Sequence, residues 1–344
     1  MHEVHCSPVQ EIVGVLKGGH TGTIPRAVLL NSPTVEMMER SGASWPEAHR
    51  KAEDMARLAA EIHRSTGFHA VNLPWDACVE LEALGGGSDT GTLPTSIPAA
   101  IEPAFRNTED VEIPPDIFDR GRFPVVLEAV GRTKKMVGDD AAVVPLVEGP
   151  LNISCQAIGV NRMYRMFIRD PAAVARILDI FADLCVRYAA KLLEAGGDVI
   201  QLSDPFTQGL TAPRFKEMMI PAYRKISSGV KGPVFLHICG NTGHLLEHLP
   251  ESGLSAFSFD SPCVTAAQVK AAIGSQMRVI GSVPTVTHIL EGSEQDVFDA
   301  SIKCMEDGVD ILSPSCGLPP EAPLPNLRAM VRAIESYNER LGIT

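Results

Sequence analysis

The sequence predicts a closed parallel barrel in which eight β-strands alternate with α-helices. Three observations support it: apolar runs of strand length recur along the 344 residues, a stretch with helical spacing follows each run, and each run ends in a polar or small residue. Nearly continuous apolar runs are typical of parallel strands buried on both faces. The count of eight favours a (β/α)8 barrel of the TIM type, and an open doubly wound sheet is the alternative.

The strands are predicted from short apolar runs bounded by glycine, proline or a polar residue. The fourth run, for example, lies between Gly197 and Pro205, and the fifth begins after Pro233. In chain order the eight runs are 26–31, 68–76, 141–149, 198–204, 234–238, 256–260, 278–283 and 309–313.

The helices are predicted where apolar residues recur three and four positions apart. A helical extension precedes the first strand, two helices follow the third, and one of about ten residues separates the fifth strand from the sixth. The longer helices are expected at about 45–65, 115–133, 171–195, 212–228, 293–307 and 326–341.

Both patterns fail between Ala77 and Asp116, directly after the second predicted strand. The sequence Gly85-Gly86-Gly87 and a series of prolines exclude long helices and strands there. We expect this insertion to cover one face of the barrel as a lid or as a surface for a partner. Since barrels with insertions reach this size, residues 1–344 are expected to form one barrel domain.

Composition and charge exclude several classes of protein. The net charge is -12 and no cluster of lysine and arginine occurs, so neither a nucleic acid nor an anionic membrane is an expected partner. The first eight residues lack the basic start and apolar core of a signal peptide, and no apolar run is long enough to span a membrane. A cytoplasmic protein is expected, with its eight cysteines as free thiols. No dinucleotide or P-loop phosphate motif is present.

A metal site is predicted at the end of the fifth strand. Residues two apart in a strand face the same way, so His237 and Cys239 are expected to point together beyond the strand. Cys316 follows the eighth strand, and the active sites of barrels lie at the carboxyl ends of the strands. One histidine and two cysteines without an obvious fourth partner are typical of a catalytic zinc site. The alternative is a buried histidine beside a buried thiol.

Carboxylates at other strand ends are candidates for the open coordination position. Asp260 is the first candidate for a displaceable oxygen ligand, Glu148 is the second, and Asp204 is a further candidate catalytic residue. For these acids the alternative is a hydrogen-bonded loop carboxylate. Polar residues also end other strands, namely Asn31, Asp76 and Ser282.

A competing metal motif follows the fifth strand. The sequence His244-Leu-Leu-Glu247-His248 matches H-x-x-E-H, the signature of inverted zinc proteases. Two histidines four apart share one face of an α-helix. The predicted helix is short and lies on the outside of the barrel, which argues against this alternative.

Two stretches of the chain resemble a known family. Leu236–Thr242 and Ser315–Gly317 are similar to the H-x-C-x(n)-C zinc signature of the methylcobalamin:coenzyme M methyltransferases, a branch of the uroporphyrinogen decarboxylase superfamily. The likeness extends over nearly the whole chain and includes Glu148–Pro150 and Ser203–Pro205. It implies a (β/α)8 barrel. The decarboxylases themselves use no metal, and their arginine-rich N-terminal motif has no counterpart here, where Asn31–Pro33 follow the first strand. Decarboxylation is therefore not expected.

The resemblance also implies the ligands and the reaction. His237, Cys239 and Cys316 would bind Zn²⁺, and a methyl group would move from methylcobalamin on a separate corrinoid protein to the thiol of coenzyme M, as in methanogenesis. Zinc coordination would deprotonate that thiol and make it a nucleophile. Arg26 and Arg162 are the cations considered for the sulfonate. Two alternatives stay open: a corrinoid-dependent demethylase acting on a methoxy, amine or halide substrate, and a non-catalytic zinc-stabilised module that binds a corrinoid protein.

Overall fold

A parallel sheet closed into a barrel forms the centre of the molecule. The computed structural model describes residues 6–19, 22–260, 263–274 and 276–342. Its strands are β1 (Ala70–Leu73), β2 (Gly87–Asp89), β3 (Ala99–Glu102), β4 (Ala142–Glu148), β5 (Ile200–Ser203), β6 (Val234–Ile238), β7 (Ala256–Phe259) and β8 (Arg278–Ile280). Six of them pair in parallel in the order β1-β4-β5-β6-β7-β8, and β2 and β3 form a separate antiparallel hairpin. The predicted barrel is confirmed, and the alternative prediction of an open doubly wound sheet is not.

The last predicted strand, 309–313, is extended but is not a regular strand. It joins its neighbour through two isolated parallel bridges, from Ile280 to Ile311 and from Val283 to Pro314. Backbone hydrogen bonds lie on both sides of Pro314, from the Val283 N–H to the Ser313 carbonyl at 2.9 Å and from the Ser315 N–H to the Val283 carbonyl at 2.8 Å. The segment nevertheless occupies the next position of the barrel after β8.

The first predicted strand, 26–31, closes the barrel by scattered contacts instead of a ladder. The carbonyl of Arg26 accepts a hydrogen bond from the His69 N–H at 2.7 Å, next to β1. On the other side, the Leu30 N–H donates to the hydroxyl of Ser313 at 2.9 Å. A side-chain oxygen takes the place of a backbone partner here, which is why sequence pattern alone predicts a regular strand where none forms.

Helices surround the barrel. They are α1 (Pro8–Leu16), α2 (Val35–Ser41), α3 (Ala52–Thr66), α4 (Val79–Ala83), α5 (Phe123–Val137), α6 (Pro150–Ile158), α7 (Val160–Arg169), α8 (Pro171–Ala195), α9 (Ala212–Arg214), α10 (Ile220–Gly229), α11 (Ala266–Ile273), α12 (Glu294–Glu306) and α13 (Leu324–Arg340). Three helices rather than two follow β4, and the predicted helix at 115 begins only at Phe123. The helix predicted after β6 is a 3₁₀ helix, Leu246–Ser252, with Pro250 inside it.

The N-terminal helix α1 closes the bottom of the barrel. Its apolar residues Ile12, Val15 and Leu16 belong to the same buried cluster as the inward residues of the strands, such as Phe235 and Ile280. A capping box at Ser7 fixes the start of the helix, with the side chain accepting from the Gln10 N–H. The predicted helical extension is therefore part of the barrel core.

The insertion after β1 contains the short helix α4 and the β2–β3 hairpin, followed by an irregular segment tied to the helices behind it. The Phe105 N–H donates to the carbonyl of Ala157 at 2.9 Å, and Arg176 donates to the carbonyl of Thr108 at 2.7 Å. The hairpin and its turn carry a row of exposed apolar side chains, Leu93, Ile97 and Ile101.

No helix within the described residues is long and apolar enough to cross a membrane. Residues 1–5, which contribute to the prediction that no signal peptide is present, lie outside the described part of the chain.

Candidate active site

A cavity of about 380 Å³ opens at the carboxyl ends of the strands. Its volume is within the range of small-molecule sites. Of the predicted strand-end residues, six line it, and Asp204, Asp260 and Ser282 do not. The full lining is Leu30, Asn31, Ser32, Trp45, Asn72, Pro74, Trp75, Asp76, Ala77, Ile97, Leu146, Glu148, Gln201, Ser203, His237, Cys239, Cys316, Gly317, Leu318 and Pro319.

The structure brings His237, Cys239 and Cys316 together at one side of this cavity. The Cys239 Sγ lies 3.3 Å from the His237 Nε2 and 3.6 Å from the Cys316 Sγ. All three ligand atoms lie within 4.8 Å of one another, and within the described ranges this is the one group of three or more histidine, cysteine or acidic residues so arranged. The predicted convergence of a strand end with a cysteine 77 residues later is thus observed.

Strand β6 and its neighbour β7 orient the histidine. His237 pairs with Ser258 in the parallel register, and the His237 Nδ1 lies 3.1 Å from the Ser258 hydroxyl. This hydrogen bond leaves the Nε2 facing the two sulfur atoms. Ser258 was not predicted, although a serine inside the apolar sequence Ala256–Phe259 is a detectable signal.

The chain turns sharply after Cys239. Gly240 has a φ of +76°, in the region that favours glycine, and its N–H donates to the Asp260 Oδ2 at 3.0 Å. Asp260 is not a member of the cluster of His237, Cys239 and Cys316. In this structure its carboxylate holds the loop that follows Cys239, so the prediction that it supplies an oxygen ligand finds no support in the geometry.

Cys316 follows a residue, Ser315, that is anchored by two hydrogen bonds. The Ser315 N–H donates to the carbonyl of Val283 at 2.8 Å, and the Ser315 hydroxyl accepts from the Thr285 N–H at 3.3 Å. A hydrogen bond from the Cys239 thiol, reinforced by His237, lowers the pKa of Cys316 to about 4. The same hydrogen bond and burial raise the pKa of Cys239. One thiolate is therefore favoured at this position.

Glu148 lines the cavity as part of a pair of buried acids. Its side chain accepts a hydrogen bond from the Asn152 amide, and its N–H donates to the Glu80 Oε1 at 2.9 Å. Burial, followed by repulsion from Glu80, raises the pKa of Glu148 well above its usual range. Burial also raises the pKa of Glu80 to about 7. Glu148 is outside the cluster of three ligands. Glu80, inside the insertion, was missed because no strand end marks it.

Asp204 supports the start of helix α6 instead of reaching the cavity. Its Oδ1 accepts from the Asn152 N–H at 2.8 Å, and its Oδ2 accepts from the Leu151 N–H at 3.3 Å and from the Tyr223 hydroxyl at 3.0 Å. Burial raises its pKa to about 7 although these donors favour the charged form. A Cβ at Gly149 would lie 2.4 Å from this carboxyl, so the approach requires glycine. The prediction of a catalytic role is not supported by this position.

The competing motif does not form a metal site. The His244 Nε2 lies 2.8 Å from the carbonyl of Leu210, and the His248 Nδ1 lies 3.3 Å from the Glu251 Oε1. His244 precedes the 3₁₀ helix that contains His248, so the two rings do not share an α-helical face. Neither histidine belongs to the cluster found above.

A chain of amides crosses the floor of the cavity. Asn31 and Asn72 exchange hydrogen bonds, with the Asn72 N–H donating to the Asn31 Oδ1 at 3.0 Å and the Asn31 N–H to the Asn72 Oδ1 at 3.4 Å. The Asn72 Nδ2 then donates to the Gln201 Oε1 at 2.7 Å. Asn31 was predicted as a strand-end residue, whereas Asn72 and Gln201 lie inside predicted strands and were missed.

Asp76 lines the cavity with its charge already neutralised. Arg122 donates to both carboxylate oxygens at 2.8 Å and also binds Glu82. Burial alone would raise the pKa of Asp76, but the hydrogen bonds from Arg122 hold it well below its usual range. The His49 Nδ1 lies 3.3 Å from the Asp76 Oδ2 without the alignment of a hydrogen bond.

Neither arginine considered for a sulfonate reaches the cavity. Arg26 pairs with Glu335 at 2.8 Å on the surface, and the Arg162 guanidinium donates to the carbonyl of Arg106. No arginine or lysine appears among the described residues that line the cavity.

Comparisons with known proteins decide the family. The family model described as uroporphyrinogen decarboxylase matches residues 8–337. The chain belongs to the uroporphyrinogen decarboxylase family. Its similarity to the methyltransferase branch, expected from the residues around His237 and Cys316, is confirmed by the relatives described next.

Within the uroporphyrinogen decarboxylase family, the chain is similar to proteins from methanogens. It is 32% identical to the methylcobamide:CoM methyltransferase MtaA of Methanosarcina barkeri, over 95% of this chain and 97% of that protein. It is 31% identical to the methylated-thiol–coenzyme M methyltransferase of Methanosarcina mazei, over 95% and 89%. The solved structure of a methyltransferase from Methanosarcina mazei superimposes with a TM-score of 0.93 at 30% identity, over 96% and 99% of the two chains.

Proposed function

We propose that the protein transfers a methyl group from a methylated corrinoid, carried by a separate protein, to the thiol of a small substrate, for which coenzyme M is the first candidate. One observation carries this proposal: His237, Cys239 and Cys316 converge in the cavity of a chain whose relatives are named as methyltransferases of this kind. The lack of a lining arginine or lysine in the described part of the cavity argues against decarboxylation of a polyanionic porphyrinogen.

The donor set of the cluster fits Zn²⁺. In tetrahedral zinc sites with Zn–S of about 2.3 Å and Zn–N of about 2.0 Å, two sulfur ligands lie about 3.8 Å apart and sulfur and nitrogen about 3.5 Å apart. The corresponding distances are 3.6 Å between Cys239 and Cys316 and 3.3 Å between Cys239 and His237. Two thiolates and an imidazole also favour zinc over magnesium or calcium. The three residues would leave a fourth position for a substrate thiol.

The residues around the cluster have distinct roles in this proposal. Bound zinc would supply the positive charge that keeps a substrate thiol in its thiolate form at neutral pH. Ser258 holds the ring of His237 in the orientation needed for its Nε2 to bind metal. Asp260 fixes the turn after Cys239 through the Gly240 N–H.

The transfer itself balances without an external oxidant or reductant. The substrate sulfur attacks the methyl carbon, a carbon–sulfur bond forms, and the cobalt–carbon bond breaks with its electron pair remaining on cobalt as Co(I). The thiol proton is released when the thiolate forms.

The β2–β3 hairpin is the proposed contact with the corrinoid protein. Ile97 lines the cavity, and Ile101, with 67% of its surface exposed, stands on the same hairpin. Exposed apolar side chains beside a site are typical of protein contacts. Ile101→Ser is expected to raise the KM for a methylated corrinoid protein while leaving turnover of free methylcobalamin unchanged. An equal change with both donors would contradict this assignment.

The direct test incubates the purified, zinc-loaded protein with methylcobalamin and coenzyme M. The expected result is loss of the methyl–cobalt absorbance together with formation of the methylated thiol. Methyl transfer that runs only from a methoxy, amine or halide substrate to Co(I) would support the demethylase alternative. Tight binding of a corrinoid protein without turnover in either direction would support the non-catalytic alternative.

A further inference from the structure

Two buried tryptophans in the cavity wall have polar groups without a protein partner. Trp45 and Trp75 are the two tryptophans of the sequence, and both line the cavity that holds the cluster of His237, Cys239 and Cys316. They are 2% and 8% exposed, and neither indole N–H has a hydrogen-bond partner among the described residues. Leaving such a donor buried and unpaired costs about 1–3 kcal/mol, so each donor calls for an explanation.

The neighbouring carboxylate of Asp76 is already occupied, and neither ring nitrogen of His49 is hydrogen-bonded to an indole. The ring of Trp45 lies 6.1 Å from that of Trp75 and stacks on His49 at 4.9 Å. Asp76, which follows Trp75 in the chain, accepts from Arg122 at both oxygens and from the Cys78 N–H at 3.0 Å. Its carboxylate is therefore committed to other donors.

The amides on the cavity floor are committed as well. Asn31, Asn72 and Gln201 bind one another across the floor, so their carbonyl oxygens face amide donors rather than the indoles. Both tryptophans line the cavity, and the χ2 torsion of tryptophan has a broad minimum, so a tilt of either ring would turn its N–H toward the cavity. An acceptor brought by a ligand would satisfy both donors.

We propose that Trp45 and Trp75 form a subsite that binds the acidic head group, a sulfonate or a carboxylate, of the small thiol substrate. The subsite rests on the proposed function for the identity of its ligand. Two neutral N–H donors suit a head group that has acceptors and no donors, and the described lining holds no arginine or lysine that would bind it instead. Recognition then depends on hydrogen-bond acceptors at the end of the substrate remote from its sulfur.

The dimensions of the cavity agree with a short substrate. A sphere of 380 Å³ is about 9 Å across, so one small molecule can contact the cluster and the tryptophans together. A thiol and an acidic group separated by two carbons therefore fit inside it together.

Tryptophan fluorescence reports directly on this subsite, since no tryptophan lies elsewhere in the sequence. Ethanesulfonate and propionate, which lack a thiol, are titrated into the wild-type protein, with ethylammonium as a control of similar size whose head group only donates. We expect saturable changes in emission with the two acids and none with ethylammonium. Ethylammonium binding equally well, or no response to either acid, as with a bound water only, would overturn the proposal.

Single variants then assign the donors. Trp45→Phe and Trp75→Phe are each expected to weaken ethanesulfonate binding about tenfold or more, measured by calorimetry. Tyr188→Phe is the matched control, because it removes another unpartnered buried polar atom outside the cavity. Unchanged affinity in both tryptophan variants, or an equal loss in the tyrosine variant, would contradict the assignment.

A comparison of thiols in the wild-type enzyme needs no variant. The KM is expected to be lower for coenzyme M and 3-mercaptopropionate than for ethanethiol and cysteamine, by about tenfold or more. Similar KM values for all four would overturn the subsite while leaving methyl transfer established. Conversely, acid binding without any methyl transfer would keep the subsite and reject the proposed function.

Discussion

The two ends of the barrel are built from the same strands but differ in chemistry. At the bottom, α1 packs Ile12 and Leu16 against inward apolar residues. At the top, the same strands end in the cluster of His237, Cys239 and Cys316, in buried acids and in unpaired indole donors. Stability is concentrated where the chain is apolar, and binding groups that cost stability are concentrated at the opposite end. Substitutions at the top should therefore alter metal content, and substitutions at the bottom should alter the free energy of unfolding.

The largest separation is expected from Cys316→Ala at the top. Loss of a proposed ligand should weaken zinc binding by more than about a hundredfold, the upper end for changes outside the ligand shell, and abolish methyl transfer. Metal content measured by atomic emission and turnover with methylcobalamin check this. Cys304→Ala, a buried thiol outside the cluster, and His248→Ala should both retain metal. Zinc lost from His248→Ala and kept in Cys316→Ala would reject the assignment.

Ile12→Ala at the bottom is expected to lower the stability of the fold without changing metal content. Deleting a fully buried side chain from a packed cluster costs about 2–5 kcal/mol of unfolding free energy. Urea unfolding measures this loss, while zinc content and KM for the thiol should stay at wild-type values. Val13→Ala, on the half-buried side of the same helix, should cost less. A change in metal affinity as large as that of Cys316→Ala would mean that the two ends are not independent.

Ser258→Ala tests a finer point at the top. Removing the hydroxyl that orients the His237 ring should lower zinc affinity by about 10- to 100-fold, as for other partners of metal-binding histidines. Competition with a chelator measures this affinity. Ser258→Thr keeps a hydroxyl and should restore most of it. If Ser258→Ala binds zinc as well as the wild type, the serine does not position the histidine.

The smallest effect is expected from pH at the bottom of the barrel. Burial, together with the charges of Arg26 and His63, lowers the pKa of His69 to about 4. In the unfolded chain the His69 imidazole binds a proton near pH 6.5. The contribution of neutral His69 to the free energy of unfolding is therefore fully present above pH 6.5 and is lost as the pH falls toward 4. Since His69 is only half-buried, the loss is about 1–2 kcal/mol. In urea unfolding at pH 7.5 and pH 5, His69→Gln should lose less stability than the wild type. Equal losses would exclude His69 as the source.

The fold and the cluster of His237, Cys239 and Cys316 were predictable because both follow from periodicity. A strand end places His237 and Cys239 on one side, and barrel closure brings Cys316 beside them, so distance along the chain is no obstacle. Strand order needs only the right-handed succession of βα units. The irregular first strand was not predictable, because the Ser313 hydroxyl replaces a backbone partner there.

The rest of the cavity was not predictable from the sequence. Trp45 lies between helices and far from any strand end, so no pattern assigns it to the cavity. Asn72 lies inside a strand, where successive side chains point to opposite faces of the sheet. This alternation does not say which of the two faces points into the barrel. Asp204 and Asp260 were predicted as site residues only because they end strands. In the structure their carboxylates accept hydrogen bonds from backbone N–H groups instead, Asp204 from α6 and Asp260 from Gly240.

The irregular closure of the barrel gives the ligand cluster a mechanical role. Residues 309–314 join β8 and the residues after it through isolated bridges rather than a regular ladder, and Cys316 lies two residues beyond them, while His237 belongs to the regularly paired strand β6. A metal held by both would connect this irregular seam to β6 across the open end of the barrel. Removal of the metal should therefore accelerate amide hydrogen exchange along that seam more than in α1. The metal would then stabilise the closure of the barrel in addition to activating the substrate thiol.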